Sequence, residues 1–335
     1  MNFLTFNRNT PFVKLEFEEI NNIQLYAKLE YLNPTGSVKD RAASFILQET
    51  LRKGIINQNT TIVESSSGNL GVSLAAYCKK YALRLIVVID PHISPVNEML
   101  IRKYGAEVIK VTTPDLSGGY LLTRLKKVTE LLSEISNSYW IDQYRNPLNR
   151  RAYYLTLGKE ICDEADNVDY LFLGVSSGGT IAGVSQRVKE KYPKARVIAV
   201  DIEGSVIFGG NPSKRYIPGI GASKVPANLK YAAIDDVVVV NEKETIESCH
   251  ELLNKHSIFA GGSSGSVIAA INKFFRNKND TKLTNVVTIF ADKGERYINS
   301  IYDERWSSKF FEKNESIKDH SLVKEEAVLE FCDER

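Results

Sequence analysis

Short runs of apolar, mainly β-branched residues recur along the chain and predict the strands of a buried sheet. Several of these runs are apolar at almost every position. Strands covered on both faces have this pattern, and it favours parallel pairing. We predict strands at residues 25–30, 61–64, 85–89, 108–111, 170–174, 197–201, 237–240 and 286–290.

Longer segments with apolar residues every three to four positions alternate with these runs and predict helices. They cover residues 42–53, 70–81, 93–104, 119–132, 151–164, 180–191, 243–256 and 266–275. Gly105 follows the third segment and suits the left-handed position that commonly ends a helix. Alternation of strands and helices along the whole length predicts an α/β fold with doubly wound sheets.

Length and composition are typical of a globular protein of about two domains. The 335 residues are 43% hydrophobic, and the net charge is +2, so the chain has no general attraction for nucleic acid or for an anionic membrane. No apolar run approaches the ~20 residues of a membrane span. The first eight residues lack the apolar segment of a secretory signal, and we therefore expect a cytoplasmic protein.

The cysteines and histidines argue against a metal site and against a disulfide framework. The four cysteines stand far apart with no CxxC pair, and the four histidines form no HExxH pattern. We predict no metal ion, so any reactive group must come from other side chains.

Lys39 lies in the most informative segment, residues 33–41, which reads Asn-Pro-Thr-Gly-Ser-Val-Lys-Asp-Arg and leads into the first long helix. Strand-to-helix junctions are where an open α/β sheet collects its ligands. A lysine beside a Gly-Ser turn at a helix start is unusual for a solvated surface charge. A second junction, residues 64–71 (Glu-Ser-Ser-Ser-Gly-Asn-Leu-Gly), combines hydroxyls with the N–H groups of a helix start and suits a carboxylate.

Two more junctions are rich in glycine and serine. Residues 174–183 read Gly-Val-Ser-Ser-Gly-Gly-Thr-Ile-Ala-Gly, with no lysine for a Walker-type loop and without the spacing of a dinucleotide fingerprint. This composition predicts a compact nest of N–H groups and hydroxyls for one phosphate monoester. Residues 260–266 (Ala-Gly-Gly-Ser-Ser-Gly-Ser) bring small hydroxyls to another helix start.

Together, the lysine and the four loops resemble the fold-type II pyridoxal phosphate enzymes of the cysteine synthase and cystathionine β-synthase group. The resemblance extends from about Pro11 to Tyr302 and includes residues 218–222 and 292–297. It implies two doubly wound domains with the cofactor, pyridoxal 5'-phosphate, in the cleft between them, and Lys39 as the catalytic residue that forms the Schiff base. It also implies the cofactor-binding residues Asn69 (ring oxygen), Ser176, Ser177, Gly178, Gly179 and Thr180 (phosphate), and Ser263 (pyridine nitrogen). For the substrate α-carboxylate it implies Ser66, Ser67 and Gln143.

The residue types suit β-replacement chemistry. Burial lowers the pKa of a lysine, which lets Lys39 react as a neutral amine. The neutral hydroxyl of Ser263 need not keep the cofactor ring protonated, and this favours loss of a β-leaving group over transamination. We expect elimination to an aminoacrylate and then attack by a second nucleophile, with a closing small domain that excludes water.

Within the family, residues 90–95, 118–124, 139–144 and 204–209 resemble the phosphoserine-dependent synthases of the diaminopropionate pathway. This implies conversion of O-phospho-L-serine and L-glutamate to N-(2-amino-2-carboxyethyl)-L-glutamate and phosphate, for siderophore or antibiotic biosynthesis. The hydroxyls of Tyr144 and Ser177 suit a dicarboxylic substrate better than sulfide, and Arg124 could clamp a carboxylate. Leu70 departs from the threonine common in cysteine synthases. Two alternatives stay open: a cysteine synthase that uses O-acetylserine or O-phosphoserine with sulfide, and an inactive α/β binding protein.

The resemblance also predicts the domain organisation. We expect residues 1–41 and 145–305 to form a large cofactor-binding domain, residues 42–144 a small mobile domain, and residues 306–335 a C-terminal arm or tail. The expected partners are small-molecule amino acid substrates and a second copy of the chain in a homodimer.

Overall fold

Two sheets form the framework of the computed structural model, which describes residues 9–16, 20, 22–114, 119–276 and 283–311. Each of the eight predicted strands is present to within two residues at its ends, and β1 and β6 are additional. In chain order the strands are β1 (Phe12–Leu15), β2 (Ile23–Leu29), β3 (Thr61–Ser65), β4 (Arg84–Ile89), β5 (Glu107–Lys110), β6 (Ser138–Trp140), β7 (Tyr170–Gly174), β8 (Arg196–Ile202), β9 (Asp236–Val240) and β10 (Thr284–Phe290).

The larger sheet has the strand order β1-β2-β10-β7-β8-β9 among the described residues. Its strands pair in parallel from β2 to β9, with Val286 of β10 between Leu25 of β2 and Tyr170 of β7. Only the edge strand β1 is antiparallel, with Val13 opposite Ala27. The parallel interior explains why the predicted runs are so uniformly apolar.

The smaller sheet has the order β5-β4-β3-β6 and is parallel throughout. Alternate residues of its central strands face two different helical layers. Val63 and Val88 pack with Val128 on one side, whereas Ile62 and Val87 belong to the main core on the other. Both faces are therefore covered, as a doubly wound sheet requires.

The helices follow the predicted order, with two differences: a short helix at Glu304–Ser307 is additional, and one predicted helix is divided. The segment predicted as a single helix at 151–164 is two helices that meet at Thr156, and Gly105 does follow α3 with a φ of +93°. In the described residues the helices are α1 (Lys39–Arg52), α2 (Asn69–Lys80), α3 (Pro95–Lys103), α4 (Leu121–Glu134), α5 (Pro147–Leu155), α6 (Leu157–Glu164), α7 (Gly179–Lys191), α8 (Glu242–His256), α9 (Gly262–Phe275) and α10 (Glu304–Ser307).

Local sequence accounts for several of these helix starts. Pro95 and Pro147 occupy the first turns of α3 and α5, where a missing N–H costs nothing. At α8 the side chains of Asn241 and Glu244 each bond the other's backbone N–H and form a capping box.

The strand ends place the candidate loops together. The carboxyl ends of β7 and β10 in the larger sheet lead into residues 175–178 and 291–293, which a parallel sheet gathers at one end. In the smaller sheet β3 leads into residues 66–68, and Asn69 directly after them donates to Asp292. The strands of the smaller sheet all lie between residues 61 and 140, whereas the domain boundaries themselves stay predictions. Of the C-terminal arm, residues 312–335 lie outside the described residues. No helix in the described part of the chain has both the length and the apolar character needed to cross a bilayer.

Candidate active site

Lys39 is the first residue of α1, and the loop before it is fixed against the end of β10. The N–H of Val38 donates to Ala291 at 2.8 Å, and Ser37 forms a β-bridge with Asp292. Gly36 turns the loop with a φ of +83°, a left-handed conformation that favours glycine. Lys39 is half-buried; burial lowers the pKa of its amine, while the charges of Asp292 and Glu30 oppose that effect.

A buried ion cluster fixes the other side of the same helix turn. The Arg41 guanidinium is 1% exposed and makes two hydrogen bonds to Glu30, at 2.6 and 2.7 Å, and two to Glu160, at 2.6 and 2.7 Å. Burial works to raise the pKa of Glu160, but Arg41 and Lys28 outweigh it and hold that pKa at about 2. The cluster anchors α1 to β2 and α6, and so sets the position of Lys39.

Residues 176–180 form the predicted nest at the start of α7. Gly178 has a φ of +75°, and the first N–H groups of the helix receive no side-chain cap. A helix start of this kind presents free N–H groups to an anion. Gly179 must stay small, because a Cβ there would lie 2.5 Å from the Asn149 side chain. The nest therefore has the shape and the donors for a phosphate group.

One cavity joins Lys39 to this nest and to Ser263 at the start of α9. The predicted residues that line it are Lys39, Ser176, Ser177, Gly178, Thr180 and Ser263. Amine, phosphate nest and neutral hydroxyl are the three parts that the cofactor needs, so these residues fit pyridoxal phosphate. Among the described residues no cluster of His, Cys, Asp and Glu is arranged to hold a metal ion.

Ser66, Ser67 and Arg124 come together at the end of β3. The Ser66 hydroxyl accepts from the N–H groups of Gly68 and Gly71, at 3.3 and 3.2 Å, and shapes the loop. The Ser67 hydroxyl donates to Asp90 at 2.7 Å and accepts from Arg124 at 3.2 Å.

Arg124 does not point into solvent. Its side chain is 14% exposed, and Nε lies 3.3 Å from the Asp90 carboxylate. Asp90 thus holds the guanidinium at the loop that we predict for the substrate carboxylate. Asp90 is a site residue that the sequence did not predict, although it opens one of the segments that carry the resemblance.

Gln143 and Tyr144 are joined to the phosphate nest by Asn228. The Asn228 side chain donates to the carbonyl of Gln143 at 2.9 Å and to that of Ser177 at 3.4 Å. The backbone N–H of Asn228 donates to the Tyr144 carbonyl at 3.2 Å. The Gln143 amide donates to the Ser65 carbonyl at 3.4 Å. Burial raises the pKa of the Tyr144 phenol, and the charge of Arg124 opposes this. No sequence signal pointed to Asn228.

Glu64 is a buried carboxyl beneath the substrate loop. It is 1% exposed; Oε1 accepts from the Ser65 N–H at 2.8 Å, and the buried Oε2 has no hydrogen-bond partner among the described residues. Burial raises the pKa of Glu64 to about 8. The carboxyl is therefore neutral over much of the physiological range, which the sequence did not indicate.

Asn69 lies at the start of α2 and contacts the segment after β10. Its amide nitrogen donates to Asp292 at 2.7 Å, and its amide oxygen accepts from Arg296. The sequence indicates Asp292 and Arg296 only as members of the 292–297 segment and predicts no role for them. Burial raises the pKa of Asp292, while Arg296, Asn69, Tyr297 and Lys39 oppose this.

Comparison with known proteins agrees with the geometry. The family model for pyridoxal-phosphate dependent enzymes matches residues 3–292. An O-acetylserine dependent cystathionine β-synthase from Helicobacter pylori is 35% identical, with a TM-score of 0.83 over 90% of this chain and 98% of that one. A hydrogen sulfide-producing enzyme from Fusobacterium nucleatum is 29% identical (TM-score 0.82; 88% and 99% covered). An O-ureido-L-serine synthase is 26% identical (TM-score 0.82; 95% and 96% covered). The predicted fold class is confirmed.

Proposed function

Since the chain belongs to the pyridoxal-phosphate dependent enzymes and is a β-replacement synthase by type, we propose that its substrates are O-phospho-L-serine and L-glutamate. The reaction breaks the bond between the β-carbon and the phosphate oxygen and forms a bond from that carbon to the amino nitrogen of glutamate. The products are phosphate, which is released, and N-(2-amino-2-carboxyethyl)-L-glutamate, a precursor of 2,3-diaminopropionate for siderophore or antibiotic biosynthesis.

The position of Arg124 carries this proposal. Its guanidinium is almost buried, contacts Ser67, and is close enough to the Tyr144 phenol to influence its pKa. A nucleophile with two carboxylates needs positive charge in a site that excludes water, because an unpaired buried charge is costly. Sulfide needs no such partner. A guanidinium at the substrate loop, which Asp90 contacts at Nε and Ser67 at Nη1, supports a dicarboxylic nucleophile if a substrate carboxylate shares it with Asp90.

We assign the remaining roles to the residues that line the cavity and the loop. The cofactor supplies an electron sink for the carbanion. Lys39 holds the cofactor and, as a neutral amine, takes the α-proton of the first amino acid at Nζ. Ser263 faces the pyridine nitrogen, and Ser66, Ser67 and Gln143 bind the α-carboxylate. The phosphate is bound by Ser176, Ser177, Gly178, Gly179 and Thr180.

The test is a competition in which the enzyme receives phosphoserine with equal amounts of glutamate and sulfide, and the products are weighed by mass spectrometry. We expect the glutamate adduct to dominate. Arg124→Gln should reduce that adduct at least tenfold, about the value of one charge-assisted hydrogen bond, and leave any sulfide product unchanged. Arg102→Gln, on the exposed face of α3, is the control.

A different product would decide against the proposal. Cysteine as the main product would identify a sulfide-using synthase, and equal loss of both products in Arg124→Gln would remove Arg124 from nucleophile selection. Absence of any product, with cofactor bound, would favour the inactive binding protein.

We also propose that the protein is a cytoplasmic homodimer with the domain division 1–41 plus 145–305 and 42–144. The arrangement of the smaller sheet within residues 61–140 supports the division. Sedimentation analysis would test the dimer.

A further inference from the structure

The Asn69 amide is held between two groups of opposite hydrogen-bonding character. Its Nδ2 donates to Asp292 Oδ2 at 2.7 Å, and its Oδ1 accepts from Arg296 Nη1. Asn69 starts α2, which packs on the smaller sheet, whereas Asp292 and Arg296 follow β10 of the larger sheet. The Asn69 amide is thus hydrogen-bonded by two residues from the opposite side of the cleft.

These partners determine which way round the amide lies. A carboxylate without its proton can only accept hydrogen bonds, and a guanidinium can only donate them. The amide oxygen must therefore face Arg296 and the nitrogen Asp292, since the reverse arrangement sets acceptor against acceptor and donor against donor. An amide nitrogen carries two N–H groups, and Asp292 takes one of them. The other can serve a further acceptor.

Asp292 is itself held in one position. Tyr297 donates to the same Oδ2 at 2.8 Å, the Asp292 carbonyl accepts from the Gly261 N–H at 2.9 Å, and Ser37 forms the β-bridge described above. Oδ1 is buried, without a hydrogen-bond partner in the described part of the chain, and a Cβ at Gly261 would lie 2.0 Å from it. The backbone is therefore shaped around this carboxylate.

Arg296 also contacts the loop that precedes Lys39. Its second terminal nitrogen donates to the Thr35 carbonyl, and the Ser94 hydroxyl donates to the Arg296 carbonyl at 3.4 Å. The residue therefore contacts the segment that positions Lys39 as well as the amide of Asn69.

We propose that Asp292 and Arg296 are positioning residues that orient the Asn69 amide, so that its second N–H points to the ring oxygen of the cofactor. A reversed amide would present its own oxygen to that oxygen and repel it. This inference rests on the cofactor site proposed above, and it concerns how the site is organised rather than which amino acids react.

A double-mutant cycle on cofactor binding tests the inference. In the parent enzyme, Asp292→Asn should raise the cofactor dissociation constant about tenfold, because it replaces the charged acceptor of the Asn69 N–H with a neutral amide and leaves only Arg296 to hold the orientation. In the Asn69→Ala background the same change should have less than a twofold effect, because no amide is left to orient. Glu295→Gln, an exposed carboxylate change in the same segment, is the control and should have no effect in either background.

The absorbance of the bound cofactor gives a second readout. A donor to the ring oxygen favours its deprotonated form, so loss of that donor should move the midpoint of the pH-dependent absorbance change to higher pH. We expect this movement in Asn69→Ala and in Asp292→Asn, with no further movement in the double variant. A change in packing alone would not couple the two positions in this way.

Equal effects of Asp292→Asn in the two backgrounds would overturn the proposal, as would an unchanged absorbance midpoint. If Asp292→Asn does not fold, as judged by its unfolding midpoint, the same cycle with Arg296→Gln decides the question. All of these measurements need cofactor and no substrate, so they are unaffected if phosphoserine and glutamate are the wrong pair. Failure of the parent enzyme to bind cofactor would contradict the proposed site and this inference together.

Discussion

Glu64 offers a sharp test of the electrostatics of this site. Its ordinary pKa of 4.5 is raised to about 8, and the first cause is burial. Below pH 4.5 the carboxyl is neutral in the folded and unfolded chains and costs nothing. As the pH rises from 4.5 to about 8, the unfolded chain loses its proton first, so stability falls with pH and the loss is complete above about 8.

The size of the loss follows from that interval. At 1.36 kcal/mol for each pH unit, it amounts to about 5 kcal/mol. Glu64→Gln keeps the shape and an acceptor for the Ser65 N–H but cannot ionise. Its nitrogen at the unpartnered Oε2 position adds a cost that does not vary with pH. The free energy of unfolding of the variant, relative to that of the parent enzyme, should therefore increase by about 5 kcal/mol between about pH 4.5 and about pH 9.

Urea unfolding of the cofactor-saturated enzyme across this pH range measures the difference. Glu107→Gln is the matched control, because Glu107 lies on the edge strand β5 of the same sheet and is half exposed. If the free energies of unfolding of Glu64→Gln and the parent differ by the same amount at every pH, Glu64 titrates as an ordinary carboxyl. The assignment of a neutral carboxyl beneath the substrate loop would then be wrong.

Two other predictions follow from the helix that carries Lys39. Arg41→Met leaves Glu30 and Glu160 without their shared cation and should cost about 3–5 kcal/mol in urea unfolding, with exposed Arg52→Met as the control that loses little. Lys39→Ala should abolish the visible absorbance of the bound cofactor while the exposed Lys53→Ala variant keeps it, and equal spectra would refute the role of Lys39.

The interior strands were predictable because they are uniformly apolar, but two edge strands were not. β1 has four residues and β6 three, and most of their residues are only half-buried. β1 is stabilised by pairing with β2, and the sequence of so short a segment carries little pattern that would indicate this pairing. The break between α5 and α6 was missed for a related reason. The buried residues Tyr153, Leu157 and Ile161 continue the helical period across Thr156, and the nearby glycine, Gly158, lies two residues after the break and not at it.

The site residues also fall into two groups, those that local motifs predict and those that only the fold brings together. Loops that combine glycine and serine with a lysine can be recognised from a short stretch of sequence. The cavity does bring Lys39, the nest at 176–180 and Ser263 together. The contact of Asn69 with Asp292 joins residues 223 positions apart, and that of Arg296 with Asn69 spans 227. No periodicity records such a contact. Only the fold places these side chains side by side.

Three consecutive ionisable residues, Lys39, Asp40 and Arg41, begin α1, and their different partners explain how a lysine can be reactive there. Asp40 accepts from the N–H of Thr35 at 2.7 Å and from its hydroxyl, so this carboxylate is engaged away from the lysine. Arg41 engages the two buried glutamates, and its charge offsets the attraction that Glu30 exerts on a protonated Lys39. Without Arg41, the charge of Glu30 would act on Lys39 unopposed and favour the ammonium form. The neutral amine that the chemistry requires thus depends on the pairing of Glu30 with Arg41, as well as on burial of the lysine itself.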